Sequence, residues 1–147
     1  RFIGMKVSSV LVPVTGDGTD QQMVRLACEL LESSRSSVHI LYVIEVGRGV
    51  PLDADVAPAA SKGEEVLKDM EQVARNYKCN LEAELVQARK AGAAVVQEAV
   101  DKGVDAIVLG TPYHERFGAY SLGESLPYIL EHAPCRVIVS REPNYKA

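Results

Sequence analysis

The charge-free run Ala106-Ile107-Val108-Leu109 ends at Gly110, and a loop, a short helical stretch and a second apolar run, Val137-Ile138-Val139, follow it. This stretch, Asp105 to Ser140, constrains the fold more than any other. An unbroken apolar strand must be covered on both faces, which favours a parallel sheet between helices. A strand that ends in glycine and empties into a loop and a helix start is also the usual construction of a phosphate cradle, because unpaired backbone N–H groups and the helix dipole converge there.

The same alternation runs through the rest of the chain. Val10-Leu11-Val12, within Lys6 to Val14, reads as a strand that stops at Pro13. Thr15-Gly16-Asp17-Gly18 is a turn cluster, and Thr19 or Asp20 is placed to cap a helix whose Met23, Leu26, Ala27, Leu30 and Leu31 form one stripe. Val38 to Ile44 reads as the second strand, and Glu45 to Pro58 as a long connection of the kind that is often functional. A helix follows through Val66, Leu67, Met70, Val73, Ala74 and Tyr77. Leu81, Ala83 and Leu85 then alternate with Glu82 and Glu84, the pattern of an edge strand. Ala91 to Lys102 is a helix with Gly103 as its C-cap. Leu126, Ile129, Leu130 and Ala133 stripe the last helix.

Five strands alternating with four helices predict a three-layer open parallel sheet, Rossmann-like, with residues 1–147 as one domain. The ligand crevice of such a sheet lies beyond the carboxyl ends of the strands, here Pro13 to Gly18, Ile44 to Gly47, Gln87 to Lys90 and Gly110 onward.

With 147 residues, 47% of them apolar, such a domain can bury about 70% of its unfolded surface. A net charge of −4 argues against nucleic acid as a partner, since that surface needs clustered Lys and Arg. Cys28, Cys79 and Cys135 lie far apart in the chain, without a Cys-x-x-Cys pair or His at metal-ligand spacing, and read as small core or surface residues in a reducing compartment. No apolar run is long enough to cross a bilayer, so no direct membrane insertion is expected. Arg1 to Gly4 ahead of Met5 fit either a short extension or a domain cut from a longer protein. No Ser-His-Asp order, nucleophile elbow, zinc helix or P-loop is present, so the expectation is a protein that is not an enzyme.

The segments Leu11-Val12-Pro13-Val14, Leu41-Tyr42-Val43-Ile44 and His132-Ala133-Pro134-Cys135, with the glycines after Gly110, resemble the universal stress protein family over nearly the whole chain. The resemblance implies strand order 3-2-1-4-5 and a homodimer, often through the final strand, Arg136 to Ser140. It also implies a nucleotide site at Pro13, Val14, Thr15, Val43, Leu109, Gly110, Thr111, Gly123, Glu124 and Ser125. The family's ATP-binding branch carries Gly, two residues, Gly, nine residues, Gly, then Ser or Thr. Here those positions are Gly110, Tyr113, Gly123 and Glu124. Thr15 stands where that branch has an aspartate facing the adenine, and Leu126 where it has a further hydroxyl.

Those departures bear on the ligand. A side chain at Tyr113, if the backbone there is left-handed, costs about 1–2 kcal/mol. A carboxylate at Glu124 about 4 Å from a phosphate costs on the order of 4 kcal/mol at an effective dielectric near 20, against about 0.3–2 kcal/mol returned by the helix terminus. Arg48, Arg89, Lys90, His114 and Arg116 supply cations near the rim, Arg116 being closest in sequence to Glu124. Glu124 itself reads as a helix cap, His39 as a packed or edge histidine, and His132 as a partner of its helix dipole.

The reading is a non-enzymatic, cytoplasmic regulatory domain that requires no cofactor and binds ATP weakly or not at all. The alternative is a sensor of AMP, a cyclic nucleotide or another small anion, so that an adenine nucleotide is the candidate ligand. Tyr42 to Val46, Pro51 to Ala54, Gln87 to Arg89 and Arg116 to Gly118 also look like stress-protein domains at the cytoplasmic end of some amino-acid permeases, which would make the chain the fused regulatory domain of a membrane transporter.

Overall fold

The structure is a computed structural model that describes residues 6–33, 35–111, 115–116, 119–120 and 124–141. In chain order the elements are β1 (Ser9–Val14), α1 (Asp20–Leu30), β2 (Ser37–Glu45), α2 (Ala57–Asn76), β3 (Asn80–Ala88), α3 (Ala91–Lys102) and β4 (Ala106–Thr111). The two-residue strands β5 (Glu115–Arg116) and β6 (Ala119–Tyr120), then α4 (Ser125–His132) and β7 (Arg136–Arg141), complete them. Five strands form one all-parallel sheet in the order β3-β2-β1-β4-β7. With the small antiparallel β5/β6 ribbon set aside, this is the expected Rossmann-like order 3-2-1-4-5.

The period of two along each strand sorts the side chains into two cores. Val10, Val12 and Val14 of β1, Val38 and Ile40 of β2, and Ala106 and Val108 of β4 pack with Met23, Val24 and Ala27 of α1 and Leu67, Met70 and Ala74 of α2. On the other face Leu11, Leu41, Ile107 and Leu109 meet Val95 and Ala99 of α3 and Leu126 and Ile129 of α4. Val10, Leu11, Val12 and Ile107 are 0% exposed, and each such side chain contributes about 1.5–3 kcal/mol of burial. Two-sided covering explains why β1 and β4 carry no charge.

Two boundaries differ from the sequence reading. Strand β1 does not stop at Pro13 but runs through it, with Pro13 opposite Leu41 of β2. The ladder to β4 covers only Val10 with Ala106 and Leu11 with Ile107. Proline supplies no ladder donor, and the two strands part ahead of it, at the point where the winding direction changes. The long connection is also shorter than Glu45 to Pro58, because α2 begins at Ala57. Proline suits a first helical turn, where its missing N–H has no partner to lose, and Asp55 Oδ1 accepts the Ala57 N–H at 3.1 Å. As expected, Gly103 ends α3 in a left-handed conformation, φ +62°.

Strand β3 is the expected edge, paired among the described residues only with β2. Its carboxylates face α3. Glu82 Oε2 lies 3.3 Å from His39 Nδ1, so His39 is a packed histidine on the neighbouring strand. Glu84 Oε1 takes Lys102 Nζ at 2.7 Å and a hydrogen bond from the Glu98 carboxyl. Burial first, then the bond to Glu84, pushes Glu98 up to about 7 from an ordinary 4.5, while the Glu98 bond and then Lys102 hold Glu84 low. A raised native pKa adds stability that is complete below 4.5 and is lost as pH rises through about 7. Glu84 has the opposite sign and loses its share as pH falls below its ordinary value. Stability should therefore decline between about pH 5 and pH 8, and Glu98→Gln should flatten that decline in urea midpoints taken across the range. Parallel slopes for both proteins would refute the shared proton.

The cysteines add a meeting that the sequence did not signal. Cys28, on the last turn of α1, and Cys79, just before β3, are remote in sequence, yet their thiols meet in a hydrogen bond. The crossing of α1 over the sheet brings them together.

Candidate functional site

The carboxyl end of β1 leads into a loop folded by its own acids. Thr19 and Asp20 were placed as caps of α1. Thr19 occupies the N-cap position but makes no side-chain cap bond. Its N–H and Oγ1 donate instead to Asp17 Oδ1, at 2.8 and 2.6 Å. Asp20 turns back, so that Oδ1 accepts the Thr15 N–H at 3.1 Å and Oδ2 the Gly16 N–H at 2.7 Å. Its carboxylate is 4% exposed, and burial, only partly offset by those two bonds, raises its pKa. The loop N–H groups that an incoming anion would use are thus already occupied by an internal one. Periodicity could not reveal this role; a buried-helix start carrying an acid was the only signal.

Gly110 has a different role from the one its sequence position suggests. A Cβ there would stand 2.7 Å from Met23 Cγ and 2.8 Å from Thr19 Oγ1. The glycine lets the first turn of α1 close onto β4. A phosphate is not needed to explain it.

Of the other residues placed at the crevice, Val14, Leu109 and Thr111 are at most 8% exposed and offer a ligand little surface. Pro13 and Val43 are half-buried and Thr15 is exposed at the strand ends. Gly123, with Tyr113 and His114, lies outside the described residues. Leu126, where the ATP-binding branch has a hydroxyl, is packed into the α3/α4 core.

Glu124 and Ser125 are brought into a cleft of about 260 Å³ with Glu45, Lys90, Ala91, Gly92, Ala93 and Tyr128. The first turns of α3 and α4 form its walls and the end of β2 its floor. Glu45 Oε2 accepts the Ala91 N–H at 2.8 Å and so occupies the α3 terminus, a role the sequence did not signal. Glu124 holds the N-cap position of α4 without a side-chain cap bond, contrary to the capping role expected of it. Its Oε2 lies 3.8 Å from Lys90 Nζ, and its side chain is 86% exposed. Two carboxylates against one ammonium leave the lining net negative. Tyr128 stacks on His132, with ring centroids 4.1 Å apart, and the His132 Nδ1 lies 2.9 Å from the Tyr128 carbonyl oxygen.

Of the other rim cations, Arg48 is exposed and Arg89 is spent on structure. Arg89 Nη1 donates to the carbonyls of Val46, Gly47 and Val50 at 3.4, 2.5 and 2.7 Å. Gln87 Nε2 donates to those of Leu52 and Ala54 at 2.9 and 3.0 Å. Together they tie the connection after β2 to the outer strand β3. Among the described residues no group of three His, Cys, Asp or Glu side chains could hold a metal ion, and no helix is long and apolar enough to cross a membrane.

This architecture has known counterparts. A universal stress protein of Methanocaldococcus jannaschii is 23% identical over 140 residues, covering 91% of this chain and 82% of the relative. The universal stress protein of Archaeoglobus fulgidus in complex with dAMP superposes with a TM-score of 0.69 at 19% identity, over 92% of this chain and 98% of the other. An Arabidopsis thaliana family protein with AMP bound gives 0.66 at 19% identity, over 92% of each chain. At these identities the structures speak for the fold. The family model for the universal stress proteins matches residues 6–141, all of the strands and helices described above, and the chain belongs to the universal stress protein family.

Proposed function

We propose that this chain is a non-enzymatic regulatory domain that holds ATP weakly. The observation that carries the reading is Glu124 at the mouth of α4, where the ATP-binding branch of the family has a hydroxyl. Its charge is joined in the same cleft by Glu45 and only partly answered by Lys90. A unit charge at 4 Å costs about 4 kcal/mol at an effective dielectric of 20 but about 1 kcal/mol in water. A side chain 86% exposed lies toward the second figure. The acid therefore weakens a triphosphate without abolishing it. Titration calorimetry should show Glu124→Ser binding ATP on the order of tenfold more tightly than the natural chain, with a smaller gain for AMP, whose phosphate carries less charge. Low-micromolar ATP binding by the natural chain, unchanged by the substitution, would defeat the reading.

A second reading, a sensor of an adenine mononucleotide, is favoured by the two similar folds described with dAMP and AMP bound. The contacts would come from Thr15, Val43, Gly110 and Ser125. The negative lining of the cleft supports a ligand with one phosphate over one with three. In the same titrations, AMP binding more tightly than ATP selects this reading.

The domain is further proposed to form a homodimer through β7. Among the described residues that strand pairs only with β4, so its other edge can accept a second chain, and Val139 is 39% exposed upon it. Sedimentation should show a dimer that Val139→Lys dissociates, since an edge lysine opposes strand pairing. A dimer that survives this substitution uses another surface.

A further inference from the structure

Cys28 and Cys79 lie at the amino-terminal edge of the sheet, opposite the crevice, and have no part in it. Both are half-buried against the α1/α2 core. Both open on one cleft of about 200 Å³, shared with Ser33, Ser36, Tyr77 and Lys78, which is room for a small oxidant. The turn that carries Cys79 is firmly built. The N–H groups of Tyr77, Lys78 and Cys79 donate to the carbonyls of Ala74, Arg75 and Ala74 at 3.1, 3.1 and 3.0 Å. Lys78 between them is left-handed, φ +53°, the one non-glycine residue of this kind among those described. A lysine adopts that conformation at a cost of about 1–2 kcal/mol. Here it sits in the turn that sets Cys79 on the same cleft as Cys28.

We propose that Cys28 and Cys79 form a dithiol site that is oxidised to a disulfide by a hydroperoxide. The Cys79 thiolate attacks one peroxide oxygen. A sulfur–oxygen bond forms, the oxygen–oxygen bond breaks, and an alcohol (water, from hydrogen peroxide) leaves with the proton. Cys79 is then a sulfenic acid, its sulfur oxidised by two electrons and the peroxide reduced by two. The Cys28 thiolate attacks that sulfur. The disulfide forms, the sulfur–oxygen bond breaks, and hydroxide departs as water with the proton that Cys28 lost. Two thiols and one hydroperoxide give one disulfide, one alcohol and one water.

The order of the two sulfurs follows from their surroundings. The Cys28 S–H donates to Cys79, which lowers the Cys79 pKa and raises that of Cys28, so Cys79 supplies the first thiolate. Cys135 lies elsewhere, its thiol pushed up by burial, and serves as an internal control.

The test uses the reduced chain and hydrogen peroxide, read by intact mass and a non-reducing peptide map. The expected result is loss of two hydrogens, a cross-link between the Cys28 and Cys79 peptides, and full reversal by dithiothreitol. Cys135→Ser should change nothing. Cys28→Ser should trap Cys79 as a sulfenic acid that dimedone captures, and Cys79→Ser should lose the cross-link altogether. No mass change, oxidation of Cys135 ahead of the pair, or sulfinic and sulfonic acids without the cross-link would each overturn the proposal, and the map of the natural chain decides it even if a variant fails to fold.

Discussion

Asp20→Ala is expected to lower stability by about 2–3 kcal/mol and to release the loop between β1 and α1. Two bonds from backbone N–H groups to a carboxylate, at 3.1 and 2.7 Å, are worth about 1.5–3 kcal/mol each. Part of that is offset by the cost of burying the acid, which the raised pKa of Asp20 records. The substitution also removes a negative charge from the first turn of α1, where the helix dipole favours one, at about 0.3–1 kcal/mol. Asp20→Asn should fall between the two proteins, because an amide keeps one acceptor but turns a donor toward the other N–H. Urea unfolding gives the energies, and hydrogen exchange at Thr15 and Gly16 reports the loop. A loss below about 0.5 kcal/mol, in the range of ordinary surface substitutions, would mean that the loop does not depend on its buried acid.

Gly110→Ala carries the second large effect, about 2 kcal/mol of destabilisation with no nucleotide present. The added carbon would meet Met23 Cγ at 2.7 Å, Thr19 Oγ1 at 2.8 Å and Thr19 Cβ at 3.0 Å. Met23 is flexible and can yield. Thr19 is held by Asp17 through two bonds and cannot, so α1 must move off the sheet. A glycine kept only to admit a phosphate would behave differently: the apo protein would keep its denaturation midpoint and lose affinity alone. An unchanged midpoint in the alanine variant would restore the phosphate-cradle reading of this residue.

The two positions mark where reading the chain stops working. Gly110 is conspicuous in the sequence because it ends an apolar strand, and the usual reason for such a glycine is an approaching phosphate. The observed reason is an approaching helix, and the two produce the same letter. Asp20 looks like a helix cap because acids at helix starts generally are. Whether its carboxylate bonds forward into the helix or back to the loop depends on the path of residues 15–19, which no local pattern encodes. Glu124 was similarly placed as a cap, and in the folded chain it reaches across to Lys90, the residue ahead of another helix.

The strands, helices and their parallel stacking were legible because each rests on a periodicity of neighbouring residues. Alternation every second position sends Leu11 and Val12 to opposite cores, and the stripe at Met23, Ala27 and Leu30 needs no knowledge of what it packs against. That much the chain determined by itself, together with the edge position of β3 and the glycine that ends α3. The meeting of Cys28 with Cys79, of Glu84 with Glu98 and of Glu124 with Lys90 was decided only by tertiary structure. Each joins residues on different elements, and their distance depends on how helices settle across the sheet, a sum of many packing contacts to which no short segment has access.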